Sequence, residues 1–140
     1  MRLLILILAT TLACCTMTPA GDAGAPAGDA GLRDRDWSLT WVDGFDSMPS
    51  GVATPTIRFG SDGRLSGNTG CNNAGAAYTV EGARLSVDAV ISTKRACLDP
   101  QGNALEFAYV RAIEAAESYR IANGELELLD TGGKVVARFR

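Results

Sequence analysis

The cysteines carry the most chemical reach in this sequence. There are four: Cys14, Cys15, Cys71 and Cys97. A thiol can be acylated, oxidised to a disulfide or bound to a metal. The chain holds no histidine. That absence removes the base of Ser–His–Asp and Cys–His catalysis and the commonest ligand of catalytic zinc. The acidic residues Asp43, Asp46, Asp62, Asp88 and Asp99 are scattered, without the spacing of a calcium loop. No catalytic set, metal site or cofactor is expected, and the chain reads as a non-enzyme. The other polar candidates are the amides of Asn68, Asn72 and Asn73, with Thr93 further on.

Cys14 and Cys15 belong to the leader. Arg2 is followed by an unbroken apolar run from Leu3 to Leu8, then by Ala-Thr-Thr-Leu-Ala. A basic start and a short apolar core are the plan of a signal peptide, here residues 1–13. The run is too short for a bilayer, which takes about 20 apolar residues. Leu12, Ala13 and Cys14 resemble a bacterial lipobox, which implies cleavage before the cysteine and its acylation. Cys14 is the first choice because small Ala13 precedes it; Cys15, with Leu12 three places before it, is the alternative. No Asp follows the cysteine, which favours the outer membrane over the inner one.

At 140 residues and 46% hydrophobic the chain supports one domain. Net charge is −3, and losing Arg2 with the leader makes the chain more acidic still. Such a chain offers no basic stripe to nucleic acid. Its attachment to a membrane must come from acyl chains rather than charge.

Residues 14–34 read as a lipidated start and a flexible tether. Pro-Ala-Gly-Asp-Ala-Gly occurs twice, from Pro19 and from Pro26. With almost no large apolar residue, this stretch cannot offset its ordering entropy by burial. About 18 such residues would hold a domain on the order of 25 Å from the bilayer.

From residue 35 to 140 the texture is that of a domain. Trp37 to Val42 reads as an opening strand. Ile57 and Phe59 alternate, Ser61-Asp62-Gly63 turns, and Arg64-Leu65-Ser66 extends again. Ala77 to Val87 forms a hairpin about Glu81-Gly82, and Ile121 to Leu128 another about Asn123-Gly124. Val135, Ala137 and Phe139 alternate with Val136, Arg138 and Arg140. Many short strands joined by tight turns favour a closed antiparallel sheet. Asp99-Pro100 opens a helix, with Leu105, Ala108, Tyr109, Ala112, Ile113 and Ala116 on its apolar face. Glu106, Arg111, Glu114 and Glu117 fall mostly on the other face. The fold class is mainly β with one amphipathic helix, α+β overall. Trp37 and Trp41 are both expected in the core.

Gly70-Cys71-Asn72, Tyr78 six residues on, and Thr93, Ala96 and Cys97 together resemble the META domain, the family of the HslJ-type heat-shock lipoproteins. Trp37, the stretch from Thr56 to Gly67, the helix after Asp99-Pro100 and Tyr119-Arg120-Ile121 fall in the expected order. The resemblance spans Trp37 to Phe139. It implies a small, lipocalin-like antiparallel β-barrel with one helix, no established catalysis, and an association with envelope stress. Asn73 and Ala74 stand where many relatives carry aromatic residues, which makes this loop smaller and more polar.

In an oxidising periplasm Cys71 and Cys97 suggest a disulfide. It would close a loop of about 25 residues, worth roughly 3 kcal/mol in the chain-entropy model. Buried free thiols and a redox pair are the alternatives; no Cys-x-x-Cys supports the last. Asn68, Asn72, Asn73 and Thr93 are the candidate loop for a partner or ligand, against a plain role in shaping a tight loop. The expected function is a monomeric, lipid-anchored envelope protein, on the periplasmic face of the outer membrane, that binds a protein or cell-wall component. A small-ligand-binding barrel is the alternative. The interior positions Ile57, Phe59, Leu85, Val87, Leu126 and Leu128 look bulky enough to fill it.

Overall fold

The structure, a computed structural model, describes residues 31–140. The leader, both candidate acylation sites and the tether up to residue 30 lie outside the described residues. Strands β1 (Asp36–Val42), β2 (Thr56–Phe59), β3 (Arg64–Asn68), β4 (Asn73–Glu81), β5 (Arg84–Val87) and β6 (Ile91–Ser92) come first. Helix α1 (Pro100–Glu114) follows, then β7 (Ser118–Ala122), β8 (Glu125–Leu129) and β9 (Val135–Phe139).

Every strand pairing is antiparallel. The order β3-β2-β1-β9-β8-β7-β5-β4 returns to β3 through the β3–β4 pairing, so the sheet closes in a ring. The fold is the expected α+β, mainly antiparallel sheet with a single helix. The ring has one narrow joint. β5 and β7 meet at Arg84 and Ser118, with Leu85 N–H donating to the Glu117 carbonyl and Tyr119 N–H to that of Ala83. The turns follow their residues. Asn123 and Gly124, at φ 53° and 78°, supply the two left-handed positions of the tight β7–β8 hairpin.

The alternation puts Trp37, Leu39, Ile57, Phe59, Leu65, Leu85, Leu126, Leu128 and Phe139 inside the ring. Val87 is only partly buried at its margin. The expectation for Trp41 is corrected. The β1–β9 register shifts between Leu39 and Trp41, so Val42 goes inward while Trp41 turns to the outer surface. There the Arg138 guanidinium lies 4.9 Å from its ring centroid. A second shift in β8–β9 buries Val136 beside Ala137, where simple alternation would expose it.

Each end of the ring is closed by a different segment. Along β2, Thr56 marks one end and Phe59 the other. Helix α1 lies at the Thr56 end, where the Tyr109 hydroxyl donates to the Thr56 carbonyl at 2.7 Å. Burial pushes the Tyr109 phenol well above its ordinary pKa. Its N-cap is Asp99, which accepts from Gln101 N–H at 2.8 Å, and Pro100 starts the helix as expected. At the Phe59 end sit residues that the sequence reading assigned to the tether. Leu32 is fully buried, and its carbonyl accepts from Trp37 Nε1 at 3.0 Å. Arg33 bridges Phe59, and Asp34 N–H donates to the Phe59 carbonyl. Packing among the described residues thus includes Leu32, three positions before 35. A lone leucine beyond a run of small residues carries no periodicity, and only the hole it fills makes it core.

On the outer face Glu127 pairs with Arg120 and Arg138. Burial alone would raise the Glu127 carboxyl, but the hydrogen bonds and charges of Arg138 and Arg120 outweigh it and hold it low. A carboxyl held low in the folded chain stabilises it above the unfolded glutamate value of about 4.3 and ceases to do so as pH falls through the folded value. Glu127→Gln is therefore expected to lose about 0.5–1 kcal/mol at neutral pH and nothing in strong acid, read by urea unfolding at both. Leu32→Ala should lose about 2–5 kcal/mol in the same assay.

Candidate functional site

The loop between β3 and β4, the segment after β6 and the first half of α1 meet at the Thr56 end of the ring. Asn72 sits at their junction and is 2% exposed. A buried amide must satisfy two donors and two acceptor positions. Asn72 Oδ1 accepts from Thr93 Oγ1 and from Arg95 N–H, both at 2.8 Å. Its Nδ2 donates to the Arg95 carbonyl at 2.9 Å and to the Glu106 carboxylate at 3.0 Å. Every position of the amide is used. Thr69, fully buried, donates its hydroxyl to Glu106 Oε1 at 2.9 Å and accepts from Asn72 N–H.

All four residues of the expected loop are brought together. Asn73 N–H donates to Thr93 Oγ1 at 3.2 Å, and Asn68 Nδ2 reaches Asn73 Oδ1 at 3.4 Å. Asn68 Oδ1 also accepts from Gly70 N–H at 2.7 Å. These groups shape the loop; the Asn72 amide faces protein on all sides. Glu106 is the residue that the sequence missed. Its helical phase put it on the outward face, yet its carboxylate turns into the loop and accepts from Asn72 and Thr69. No spacing in the sequence joins positions 69, 72 and 106, which are brought together only by the docking of α1.

Cys71 and Cys97 are joined as a disulfide with Cα atoms 5.6 Å apart. The bond rests on bare helix backbone. A Cβ at buried Gly102 would lie 3.1 Å from Cys97 Cβ and 3.2 Å from Cys71 Sγ. The bridge therefore ties the loop, the segment after β6 and the first turn of α1 together. Oε2 of Glu106 lies 3.9 Å from Cys97 Sγ. The donor atoms of Cys71, Cys97 and Glu106 all fall within 4.8 Å of one another. While the sulfurs are bonded they offer no thiolate to a cation.

The chain's sequence matches the META domain family over residues 30–140. It belongs to that family. Among curated proteins there is no match. Three solved structures share the META fold of this chain. One solved by NMR is 19% identical at a TM-score of 0.63, covering 81% of this chain and 94% of its own. Another, from Burkholderia xenovorans, is 25% identical at a TM-score of 0.59, with coverages of 89% and 97%. The third, a DUF4847 family protein from Bacteroides vulgatus, is 15% identical at a TM-score of 0.53, with coverages of 77% and 92%. At these identities the likeness is one of fold.

The Asn72–Glu106 contact makes a signed prediction for this META domain. Asn72→Asp would set a second carboxylate about 3 Å from the first, a repulsion that one added proton relieves. The variant should be less stable than the parent by about 3 kcal/mol or more at neutral pH. The deficit should narrow as pH falls, measured by thermal unfolding across the acid range.

Proposed function

We propose that this chain is a non-enzymatic, stress-associated lipoprotein of the bacterial cell envelope. Acylated Cys14, or Cys15 in its place, anchors it to the periplasmic face of the outer membrane. Its META domain then binds a protein or cell-wall partner. The observation that carries the partner-binding reading is where the exposed hydrophobic residues fall. Ile91, Leu98 and Phe107 are 79%, 105% and 65% exposed, and all three lie on the segment from β6 to the middle of α1. Single exposed apolar residues are ordinary on any surface; Leu98, just before α1, and Phe107, in its middle, are the two at the helical end, and they are what favours a contact surface there.

Two further features support the reading. The described chain starts beside Phe59, at the opposite end of the ring from Thr56 and α1. A tether joined there would leave the helical end turned away from the membrane. The ring interior is filled by Trp37, Phe59, Tyr109 and Phe139 among others, which tells against a small ligand held inside. Among the described residues no helix is long and apolar enough to cross a membrane.

The test is photo-crosslinking in intact cells. Crosslinkers placed at Leu98 and Phe107 should capture a discrete partner, one placed at Asn123 should not, and Cys14→Ser with Cys15→Ser should abolish the capture. Equal capture from Asn123, or none from Leu98 and Phe107, would defeat the proposal.

A further inference from the structure

We propose that the reduced form of this chain binds a thiophilic divalent cation, zinc in type, through Cys71 Sγ, Cys97 Sγ and a Glu106 carboxylate oxygen. The site adjoins the exposed surface assigned to a partner, sharing Leu98 with it, but its three donors are other residues and it does not depend on that reading. Three observations carry it.

The first is the donor set. Two sulfurs and one carboxylate oxygen lie within 4.8 Å of one another. In a tetrahedral zinc site, bonds of about 2.3 Å to sulfur and 2.0 Å to oxygen set neighbouring donors roughly 3.5 Å apart. The Cys97 Sγ to Glu106 Oε2 distance of 3.9 Å is already close to that. The two sulfurs need only separate once their bond is broken.

The second is the support behind the carboxylate. Glu106 is held from behind by Asn72 Nδ2 and the Thr69 hydroxyl. Hydrogen bonds of this kind orient a ligating carboxylate and strengthen a site. Asn72 is in turn fixed by Thr93 and Arg95, so the orientation does not depend on the disulfide alone.

The third is access and charge. A cleft of about 350 Å³ opens over the sulfurs, walled by Val52, Ala53, Arg95 and Leu98. It gives a cation an entry path and room for a water as fourth ligand. Two thiolates and one carboxylate around a divalent cation leave a single negative charge, and the same cleft is lined by one cation, Arg95, and one anion, Asp99.

The steps balance. A dithiol reductant gives two electrons and two protons to the Cys71–Cys97 bond and leaves as its own cyclic disulfide. The two thiols release those protons to solvent as the cation binds. In the reverse direction a disulfide oxidant takes two electrons from the thiolates and two protons from solvent and leaves as its own dithiol, while the Cys71–Cys97 bond re-forms and the cation is expelled. The same three residues thus hold either a covalent tie or a metal tie between loop and helix.

The experiment uses the full chain in detergent, reduced with a phosphine, desalted without oxygen and titrated with cobalt(II). The expected result is one cobalt per chain, with thiolate-to-cobalt charge-transfer absorption and tetrahedral d–d bands, and neither in the oxidised chain. Glu106→Gln should weaken cobalt binding at least about tenfold. If that variant does not fold, Glu106→Asp, which keeps a carboxylate on a shorter arm, should show the same weakening. Should the reduced chain lose its near-UV dichroism, zinc should restore it, because binding to the folded site adds to folding free energy. Absence of charge transfer, cobalt affinity indifferent to Glu106, or a reduced chain that zinc does not refold would each overturn the proposal.

Discussion

One buried amide holds the helical end of this domain together. Asn72 has lost its water and must find every hydrogen bond within the protein. It finds them on the segment after β6 and on α1, and this fixes where both segments lie. Glu106 is drawn off the solvent face of the helix for the same reason. A carboxylate that faces two neutral donors gives a directional contact, whereas apolar packing alone would leave the helix free to slide. The disulfide one residue away adds a covalent tie to the same junction.

The ring depends on that junction because its weakest seam lies at the other side of the helix. β5 and β7 share one register pair and two flanking backbone bonds. The Glu114 carboxylate also accepts from Val90 N–H at 2.9 Å, so the helix ties down the loop between β5 and β6. With α1 at the Thr56 end and Leu32 at the Phe59 end, both mouths of the ring are closed. Side chains fill the interior.

The outer face uses weaker interactions. Glu127 between Arg120 and Arg138, and Glu125 with Arg140, form a charged ladder across β7, β8 and β9. Exposed pairs of this kind contribute little individually. They keep the strands polar on the solvent side and cover the Trp41 ring that the β1 irregularity turns outward.

Local chemistry was legible from the sequence. The hairpin about Asn123-Gly124, the helix start at Asp99-Pro100 and the inward residues of β2 and β8 follow from turn preference, capping and alternation, each confined to a few neighbouring residues. The family resemblance rested on short segments whose order along the chain is enough to recognise. What joins distant positions was decided by the tertiary structure alone. Two register shifts reverse Trp41 and Val136, because a single extra residue flips every later side chain and leaves no mark in composition. Leu32 becomes core only because the ring has an open mouth beside it. Glu106 becomes part of the loop only because Asn72, 34 positions earlier, is buried with a donor to satisfy. Periodicity assigns a helical residue to a face, but the partner that face meets exists only after the chain has closed.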